Sequence, residues 1–307
     1  VLAKPAEQTN LVAARVVELL YAAGIPGGAL QFVPGDGPEI GAAVLPDPRL
    51  AGVAFTGSTE TARLINRTLA ARTGPLATLI AETGGVNTMI VDSSALPEQV
   101  VKDAVQSAFN STGQRCSALR LLCLQEETAE RVLAMLEGAM AELVIGSPTL
   151  LRTDVGPVID RAAQQGLREY IDRHRAQIRY QCELPSSHEA GLFVAPTLIE
   201  LERVGDLEGE VFGPVLHTVR YRADAVDSLV DEINALGFGL TLGVHSRIDS
   251  FATRIADRAR VGNVYVNRNM IGAVVGVQPF GGMGLSGTGP KAGGPHYLFR
   301  FATERTL

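Results

Sequence analysis

The sequence contains no tryptophan and only three cysteines among its 307 residues. The cysteines are Cys116, Cys123 and Cys182, an odd number without paired spacing. Such usage suits free thiols in a reducing compartment better than a disulfide framework. We therefore expect a cytoplasmic protein without disulfides.

Long apolar runs and clusters of basic residues are also absent. The longest apolar stretches, 121–124 and 272–277, fall far short of the roughly 20 residues that a membrane-spanning helix requires. The formal net charge is −6 and no Lys/Arg run occurs, so the chain lacks the surface that neutralises nucleic-acid phosphates. We expect no membrane segment, no nucleic-acid partner and no bound metal.

The first residues, Val-Leu-Ala-Lys-Pro-Ala-Glu-Gln-Thr, contain no methionine, no basic segment and no signal-like apolar core. They are typical of a buried strand already under way. Because a core strand normally has partners that precede or flank it, we expect that sequence upstream of Val1 is missing.

Apolar material is ample and arranged in alternating helices and strands. Hydrophobic residues make up 46% of the chain and glycines number 33, which suffices for one large or two ordinary domains. Helical periodicity alternates with short apolar runs, which predicts βαβ units and a parallel sheet. Predicted helices are 8–23, a stretch that reaches Leu45, 60–71, 97–109, 126–143, 162–175, 223–235 and 250–260; predicted strands are 29–33, 52–55, 77–81, 87–91, 119–124, 216–221, 240–245 and 262–266.

This alternation predicts an α/β fold in three segments. Residues 1–81 are expected to form the carboxy-terminal part of a doubly wound nucleotide-binding domain. Residues 82–268 are expected to form a second α/β domain that carries Cys116. In 269–307 Gly, Pro and Ser replace the periodicity, which indicates a functional loop followed by a carboxy-terminal return segment.

Cys116 differs from the other two cysteines in its surroundings. It ends the segment Phe109-Asn-Ser-Thr-Gly-Gln-Arg-Cys116, a glycine-containing loop after a predicted helix, directly beside Arg115. Positive potential at such a place favours the thiolate relative to the reference pKa of about 8.5. The alternative is a small, buried and inert side chain, the usual state of a free cysteine.

A carboxylate accompanies this thiol. Glu82-Thr83-Gly84-Gly85 follows an apolar strand, and the strand and helix between it and Cys116 are enough to bring both into one cleft. A thiolate can attack a carbonyl carbon, and a carboxylate can then activate the water that releases the acyl group. The alternative for Glu82 is a capping or salt-bridged residue.

Six short motifs follow one another along the chain. They are Lys4-Pro5-Ala6-Glu7, Phe55-Thr56-Gly57-Ser58-Thr59-Glu60, Glu82-Thr83-Gly84-Gly85, Gly113-Gln114-Arg115-Cys116, Glu210-Val211-Phe212-Gly213-Pro214 and Pro279-Phe280-Gly281-Gly282. Each is weak alone, but in this order they resemble the aldehyde dehydrogenase superfamily over essentially the whole chain. The resemblance implies an aldehyde dehydrogenase-like α/β fold and an oxidoreductase with Cys116 as nucleophile and Glu82 as general base.

The resemblance also implies NAD as the cofactor, with NADP as the alternative that the sequence leaves open. Lys4 and Glu7 would bind the adenosine ribose, and Gly57-Ser58 would lie at a helix amino terminus that faces the pyrophosphate. Glu210 would hold the nicotinamide ribose, with Phe212 packed beside it. The alternatives are ordinary surface ions for Lys4 and Glu7, and a plain strand-to-turn junction for the motif around Glu210.

Three longer stretches resemble one branch of the family, L-glutamate γ-semialdehyde dehydrogenase, in the form fused to proline dehydrogenase in bacterial bifunctional proline-utilization enzymes. They are 263–269, 272–280 and 287–295. This resemblance implies that the backbone N–H groups of Gly272 and Ala273 and the Ser117 hydroxyl bind the substrate carboxylate. Phe280 and Phe109 would contact the rest of the substrate, L-glutamate γ-semialdehyde, in an enzyme of proline catabolism.

Two departures from the family pattern bear on activity. The backbone N–H of Cys116 is one candidate oxyanion donor, but the family's second donor is an Asn from a Trp-containing motif upstream of Lys4, and the chain has no such segment. Loss of such a donor costs on the order of a hundred- to a thousandfold in rate. Met283 stands where the bifunctional enzymes usually have an acidic residue.

Several interpretations remain open. A cysteine hydrolase would need a histidine partner, but the five histidines occur in no matching motif. The chain could also be a nucleotide-binding module without activity, or an aldehyde dehydrogenase for another aldehyde. We expect a covalently linked proline dehydrogenase domain in the parent chain and a homo-oligomer, in which 297–307 would form an edge strand used in assembly.

Overall fold

The computed structural model describes residues 1–188, 190–274 and 276–306. Val275, in the predicted substrate-binding stretch, and Leu307, at the end of the predicted edge strand, lie outside the described residues. The chain divides into two compact units. One consists of Val1–Val53 and Glu60–Leu79, and the other of Ala54–Thr59 and Ile80–Leu307. The predicted boundaries at 81 and 268 stay a prediction.

Short strands and amphipathic helices make up residues 1–82. The elements in chain order are β1 Leu2–Ala3, α1 Asn10–Ala22, β2 Gln31–Phe32, α2 Gly37–Val44, β3 Gly52–Thr56, α3 Thr59–Ala70 and β4 Thr78–Glu82. Strands β1 and β2 pair in parallel, and β3 pairs with β4 in a separate two-stranded sheet. Asp36 accepts a hydrogen bond from the Glu39 backbone N–H and so caps helix α2, as short acidic side chains commonly do.

Helix α1 confirms its predicted position and buries Val17, but the five apolar residues on which its prediction rested are exposed. Leu11 is 89% exposed and Val12 is 69% exposed, and Val16, Leu19 and Leu20 are exposed as well. Periodicity therefore predicted the helical conformation correctly without predicting burial.

A seven-stranded sheet is the framework of the second unit. The elements of this unit in chain order are β5 Asn87–Val91, α4 Pro97–Phe109, β6 Leu119–Gln125, α5 Glu126–Ala141, α6 Arg161–Arg173, β7 Ile178–Gln181, β8 Thr197–Glu200, β9 Val215–Tyr221, α7 Val226–Ala235, β10 Phe238–Gly239, β11 Thr241–His245, α8 Asp249–Arg258, β12 Asn263–Val266 and β13 Met283–Gly284. The strand order of the sheet is β12-β11-β5-β6-β9-β8-β7, and all neighbours are parallel except β7, which runs antiparallel to β8.

The central strands are buried on both faces because helices cover both sides of the sheet. Along β6, Leu122 and Leu124 pack with residues of α4 and α5, whereas Leu121 and Cys123 pack with residues of α6, α7 and α8. This division follows from the alternation of side chains along a strand. A continuous apolar run such as β6 is typical of a central parallel strand. The predicted α/β architecture is confirmed.

The antiparallel edge of the sheet was not predicted. Arg179 on β7 binds Glu130 at 2.5 Å and Glu137 at 2.5 Å, both on α5, and Glu200 on β8 at 3.0 Å. Arg220 on β9 joins the same cluster through Glu130 at 2.9 Å and Glu200 at 2.7 Å. Strand β7 at this edge has too few apolar residues to show a periodic pattern. It is joined to its neighbours by these ion pairs.

The carboxy-terminal segment differs from its predicted form. Residues Leu298–Phe301 form a 3-10 turn, and 302–306 have no regular structure. The expectation of an edge strand over 297–307 was therefore wrong for the residues that are described. Leu298 and Phe299 are 79% and 72% exposed. None of the helices within the described ranges combines the length and apolarity needed to cross a membrane.

His217 on β9 is a fully buried polar residue in this core. Its Nδ1 and the backbone oxygen of Arg120 are 3.0 Å apart, so Nδ1–H donates, and Nε2 accepts from the Tyr170 hydroxyl at 2.9 Å. Burial lowers the pKa of His217 to about 4. The neutral ring satisfies both partners, whereas a protonated ring would be a buried charge.

The lowered pKa of His217 predicts a loss of stability in acid. Between the unfolded pKa of about 6.5 and the folded pKa of about 4, the unfolded chain binds a proton that the folded chain does not. The free energy of unfolding should therefore decrease as the pH is lowered across this window, by about 3 kcal/mol from this group alone. Urea unfolding at pH 7 and pH 4.5 should show a smaller difference for His217→Gln than for the exposed control His296→Gln. Equal differences would contradict the prediction.

Candidate active site

The Cys116 loop leaves helix α4 through a strained turn. After α4 ends at Phe109, the 3-10 turn Asn110–Gly113 places Ser111 at φ 55° and Thr112 at φ 58°. Side chains rarely adopt this left-handed conformation unless the surroundings enforce it. Arg115 Nε donates to Ser111 Oγ at 2.9 Å, and Thr112 Oγ1 donates to the Gly156 oxygen at 3.1 Å. These bonds hold the turn that presents Cys116.

Asn87 fixes the backbone around Cys116. Its Nδ2 donates to the Cys116 oxygen at 2.7 Å and to the Ala118 oxygen at 2.8 Å. Its Oδ1 accepts from the Thr241 backbone N–H at 3.2 Å. Because Asn87 is the first residue of β5 and is 1% exposed, this side chain ties the nucleophile loop to two neighbouring strands.

The electrostatic surroundings of Cys116 differ from those predicted. Burial, followed by the negative charge of Glu210, raises the pKa of the Cys116 thiol. Backbone N–H groups of Ser117 and of Cys116 itself lower it by less, and Glu82 adds to the increase. The expected lowering of this pKa beside Arg115 is not found, because burial and the two carboxylates outweigh the backbone N–H groups. The Arg115 side chain donates to Ser111. Cys116 is therefore a protonated thiol near neutral pH.

Glu82 lies at the carboxyl end of β4 in a partly buried position. Its Oε2 accepts the Gly282 backbone N–H at 3.0 Å. Its Oε1 is buried without a hydrogen-bond partner among the described residues. Burial raises the pKa of Glu82 to about 7, against smaller lowering effects of the Gly282 N–H and Lys291. A carboxyl group with this pKa can exchange a proton at neutral pH, as a general base must.

Glu210 is the second carboxylate beside Cys116. Its Oε1 accepts the Gly85 backbone N–H at 3.1 Å and lies 3.8 Å from Arg120 Nη2. Burial raises its pKa against the opposing charge of Arg120. A Cβ atom on Gly84 would lie only 1.6 Å from Glu210 Oε2, so the motif Glu-Thr-Gly-Gly needs glycine at this place.

Arg120 is the site residue that sequence reasoning missed. Its side chain is 0% exposed; Nη1 donates to the Gly213 oxygen at 3.0 Å and Nη2 to the Arg115 oxygen at 3.2 Å. Its guanidinium also lies over the Phe212 ring, 5.3 Å from the centroid. Burial lowers its pKa to about 10, so it remains charged. An arginine inside the apolar run of β6 was the available signal.

Phe212 lies two residues after Glu210 on the same loop. Phe212 is 46% exposed, and it packs on Arg120 through its ring face, an arrangement that stabilises the cation. The negative charges of Glu82 and Glu210 thus both act on Cys116. The catalytic pairing of Cys116 with Glu82 stays a prediction.

The predicted substrate-binding residues divide into two groups. Gly272, at φ 75°, lies beside the nucleophile loop, since a Cβ atom on it would be 3.8 Å from Arg115 Nη1. Gly272 and Ala273 are half-buried, as is Phe280, whose backbone pairs with Ala292 at 3.0 and 2.8 Å.

The other two predicted substrate contacts are buried. Ser117 is 3% exposed. Phe109 is 1% exposed and belongs to the core cluster beneath α4 and α5. The end of α4 faces the sheet, and a substrate contact of either side chain stays a prediction.

The predicted adenosine-binding residues form a small polar cluster within the first unit. Lys4 Nζ binds Glu7 Oε1 at 2.9 Å, and the same oxygen accepts the Gly37 backbone N–H at 2.8 Å. The hydrogen bond from Lys4 is the largest cause that lowers the pKa of Glu7. The carboxylate is therefore ionised and able to accept hydroxyl groups. Within the second unit, Gly57 and Ser58 directly precede helix α3, and the Gly57 N–H donates to the Glu82 oxygen at 3.2 Å.

The aldehyde dehydrogenase family model matches residues 1–307. The chain belongs to the aldehyde dehydrogenase family, whose members generally use NAD or NADP. This membership confirms the resemblance on which the site residues were predicted. The role of each residue stays a prediction.

Two relatives with named activities show which members of the family this chain is similar to. The chain is 58% identical over 315 residues to the bifunctional protein PutA of Klebsiella aerogenes, covering 99% of this chain and 24% of the relative. It is 37% identical over 303 residues to 1-pyrroline-5-carboxylate dehydrogenase of Bacillus thuringiensis (strain Al Hakam), covering 97% of this chain and 58% of the relative. The chain thus spans about a quarter of the bifunctional relatives it matches.

Solved structures agree with the fold. A crystal structure of a variant of Bradyrhizobium japonicum proline utilization A (PutA) matches with a TM-score of 0.96 at 58% identity, covering 100% of this chain and 31% of that chain. A structure of a variant of Thermus thermophilus 1-pyrroline-5-carboxylate dehydrogenase matches with a TM-score of 0.90 at 35% identity, covering 98% and 58%. These matches confirm the predicted aldehyde dehydrogenase-like fold.

Removing the charge of Glu210 should lower the pKa of Cys116. In Glu210→Gln the negative charge that raises the thiol pKa is lost, and Arg120 is left with more uncompensated positive charge. The pH dependence of iodoacetamide alkylation at Cys116 should move to lower pH than in wild type. The exposed control Glu202→Gln should leave the profile in place. An unmoved profile in Glu210→Gln would show that this charge does not act on the thiol.

Proposed function

We propose that this chain carries the active site for oxidation of L-glutamate γ-semialdehyde to L-glutamate with NAD. The observation that carries the proposal is a half-buried thiol, Cys116, within electrostatic reach of two partly buried carboxylates, Glu82 and Glu210. A half-buried glycine, Gly272, lies beside the nucleophile loop. The similarity to PutA and to 1-pyrroline-5-carboxylate dehydrogenase supports the choice of substrate. Because the chain covers only part of these relatives, the activity is proposed for the full-length protein.

The first half of the reaction forms a bond between Cys116 and the aldehyde. The Cys116 thiol loses its proton, and its sulfur attacks the aldehyde carbon to give a thiohemiacetal. The nearest preorganised donors for the oxygen are backbone N–H groups at 116 and 117, which contact the sulfur in the structure. NAD, when bound, would accept the hydride that leaves this carbon and so convert the thiohemiacetal to a thioester.

The second half of the reaction depends on Glu82. In its ionised form the carboxylate takes a proton from a water molecule, which attacks the thioester carbon. The carbon–sulfur bond breaks, Cys116 regains its thiol and L-glutamate leaves. Overall, the aldehyde, oxidised NAD and one water give the carboxylate, reduced NAD and two protons.

The residues present fit the two riboses of such a cofactor, each within its own unit. Glu7 uses one carboxylate oxygen for Lys4 and Gly37, and Glu210 uses one for Gly85 and Arg120. In each case the partners fix one oxygen and hold the carboxylate in place, so the other oxygen can accept ribose hydroxyls. Gly57 and Ser58 before α3 would face phosphate, as backbone N–H groups at helix starts do.

The substrate carboxylate would bind at Gly272 and Ala273. No hydrogen bond of either backbone N–H occurs within the described parts of the chain. The Arg115 guanidinium beside Gly272 adds positive charge, which favours an anionic substrate end over a neutral one. A linked proline dehydrogenase domain, and assembly of several copies, belong to the same proposal.

Replacing Cys116 tests the chemistry. In Cys116→Ala, NADH formation from pyrroline-5-carboxylate, which hydrolyses to the semialdehyde, should fall to background because no thiohemiacetal can form. Cys182→Ala, at a buried thiol in the core, is the matched control and should remain active. The measurement is NADH absorbance in the full-length protein. Undiminished turnover by Cys116→Ala would rule out this mechanism, and faster turnover of a simple aliphatic aldehyde by the wild type would rule out the substrate.

The raised pKa of Glu82 predicts how thioester hydrolysis depends on pH. The base form of Glu82 grows as pH rises through about 7, so single-turnover release of L-glutamate should accelerate over that range and level off above it. Glu82→Gln should hydrolyse the thioester about a hundredfold more slowly, without this rise. Exposed Glu98→Gln serves as control. A profile that is identical in wild type and Glu82→Gln would assign the base to another group.

A further inference from the structure

Helix α4 carries a polar stripe that faces one segment without regular structure. Asp103 follows Gln99 by four residues, and Gln106 and Ser107 follow Asp103 by three and four, so all four share one side of the helix. The segment beside them is 267–270, which we term the arm. It ends two residues before Gly272, the proposed carboxylate anchor.

Three of the four stripe residues are hydrogen-bonded to the arm, in order. Gln99 Nε2 donates to the Asn267 oxygen at 2.6 Å, and Gln106 Oε1 accepts from Asn269 Nδ2 at 3.3 Å. Ser107 Oγ accepts the Met270 backbone N–H at 3.1 Å. The arm thus runs along α4 toward the end from which the Cys116 loop departs.

A buried pair lies between these bonds. His245 on β11 is hydrogen-bonded to the backbone of Arg268, and its Nε2 lies 3.6 Å from Asp103 Oδ2. Neither of these two atoms has a hydrogen-bond partner among the described residues. Asp103 therefore faces His245 without a hydrogen bond, while the other stripe residues bind the arm directly.

The contacts follow the same order along both elements. Residues 99, 106 and 107 of α4 bind residues 267, 269 and 270 of the arm, respectively. Movement of the arm by one residue would therefore break all three bonds.

The last bond of this series has the most direct consequence for the site. Ser107 and Met270 are both 0% exposed, and a Cβ atom on Gly243 of β11 would lie 3.4 Å from the Met270 sulfur. From Ser107 the backbone continues through Phe109 to Cys116. From Met270 it reaches Gly272 in two residues. The distance between nucleophile and anchor is thus set from a common origin.

We infer that Ser107, supported by Gln99 and Gln106, is a positioning residue that fixes the distance between Cys116 and the carboxylate anchor and thereby selects aldehydes by the position of their distal carboxylate. The inference rests on the proposed function. Ser107 touches neither substrate nor nucleophile and acts through Met270. Loss of the bond should impair only those substrates that use the anchor, because a small displacement of a bound group can cost as much as a hundredfold in rate.

The test compares two aldehydes in the full-length protein. Ser107→Ala should lower kcat/KM for L-glutamate γ-semialdehyde by about tenfold or more, mainly through KM, and should weaken binding of the product L-glutamate in calorimetry. With propanal, which has no carboxylate, kcat/KM should stay within about twofold of wild type. The shorter L-aspartate β-semialdehyde should gain relative to the natural length.

A second variant avoids the buried position. Gln99→Ala with Gln106→Ala removes two bonds from partly or fully exposed helix positions, where alanine favours the helix, and should shift the same substrate ratio in the same direction. Gln165→Ala on α6 is the matched control, since its side chain binds Glu169 at 2.8 Å on an exposed helix face. This control should change neither substrate.

The outcomes separate the inference from the function on which it rests. A wild type that does not prefer the semialdehyde to propanal would reject the proposed function, and the inference with it. If the wild type has this preference, equal losses with both aldehydes, or no change with either, in Ser107→Ala and in the double variant would overturn the inference alone. Should Ser107→Ala fail to fold, the double variant decides.

Discussion

The buried charge of Arg120 is the interaction on which the arrangement of the site depends. Transfer of a guanidinium into a protein interior is unfavourable unless hydrogen bonds and an opposite charge compensate it. Here the compensation comes from the Gly213 and Arg115 oxygens and from Glu210. Because these partners belong to the nucleophile loop and to the Glu-x-Phe-Gly-Pro loop, satisfying one cation requires both loops to meet at the start of β6.

The same burial shapes the acid–base chemistry. Burial is the first cause of the raised pKa values of Cys116, Glu82 and Glu210, so each of these three acidic groups loses its proton at a higher pH than it would in water. Arg120 compensates part of the negative charge of the site, but it binds Glu210 rather than the sulfur. Ionisation of the Cys116 thiol is consequently unfavourable in free energy near neutral pH. A group that brings positive charge close to Cys116 would make it less unfavourable. In the proposed reaction, oxidised NAD has that property.

Local patterns in the sequence predicted most helices and central strands, because a continuous apolar run or a helical stripe reflects burial of that element. What local patterns missed depends on distant partners. Strand β7 is accompanied by Arg179 and its carboxylates on α5 and β8, and Phe109 turns to the core because α4 ends above the sheet. Arg115 beside Cys116 suggested an activated thiol, yet its guanidinium binds Ser111 and burial dominates.

Strand order explains why residues so far apart in sequence share one site. Glu82 and Gly85 precede β5, Cys116 precedes β6, and Glu210 precedes β9. Since β5, β6 and β9 are adjacent and parallel, the segments that enter them lie at one edge of the sheet, formed by the amino ends of the strands. Open α/β sheets commonly bind ligands at the opposite, carboxyl edge. Spacing alone therefore could not indicate this edge, whereas the observed strand order brings the predicted site residues to it.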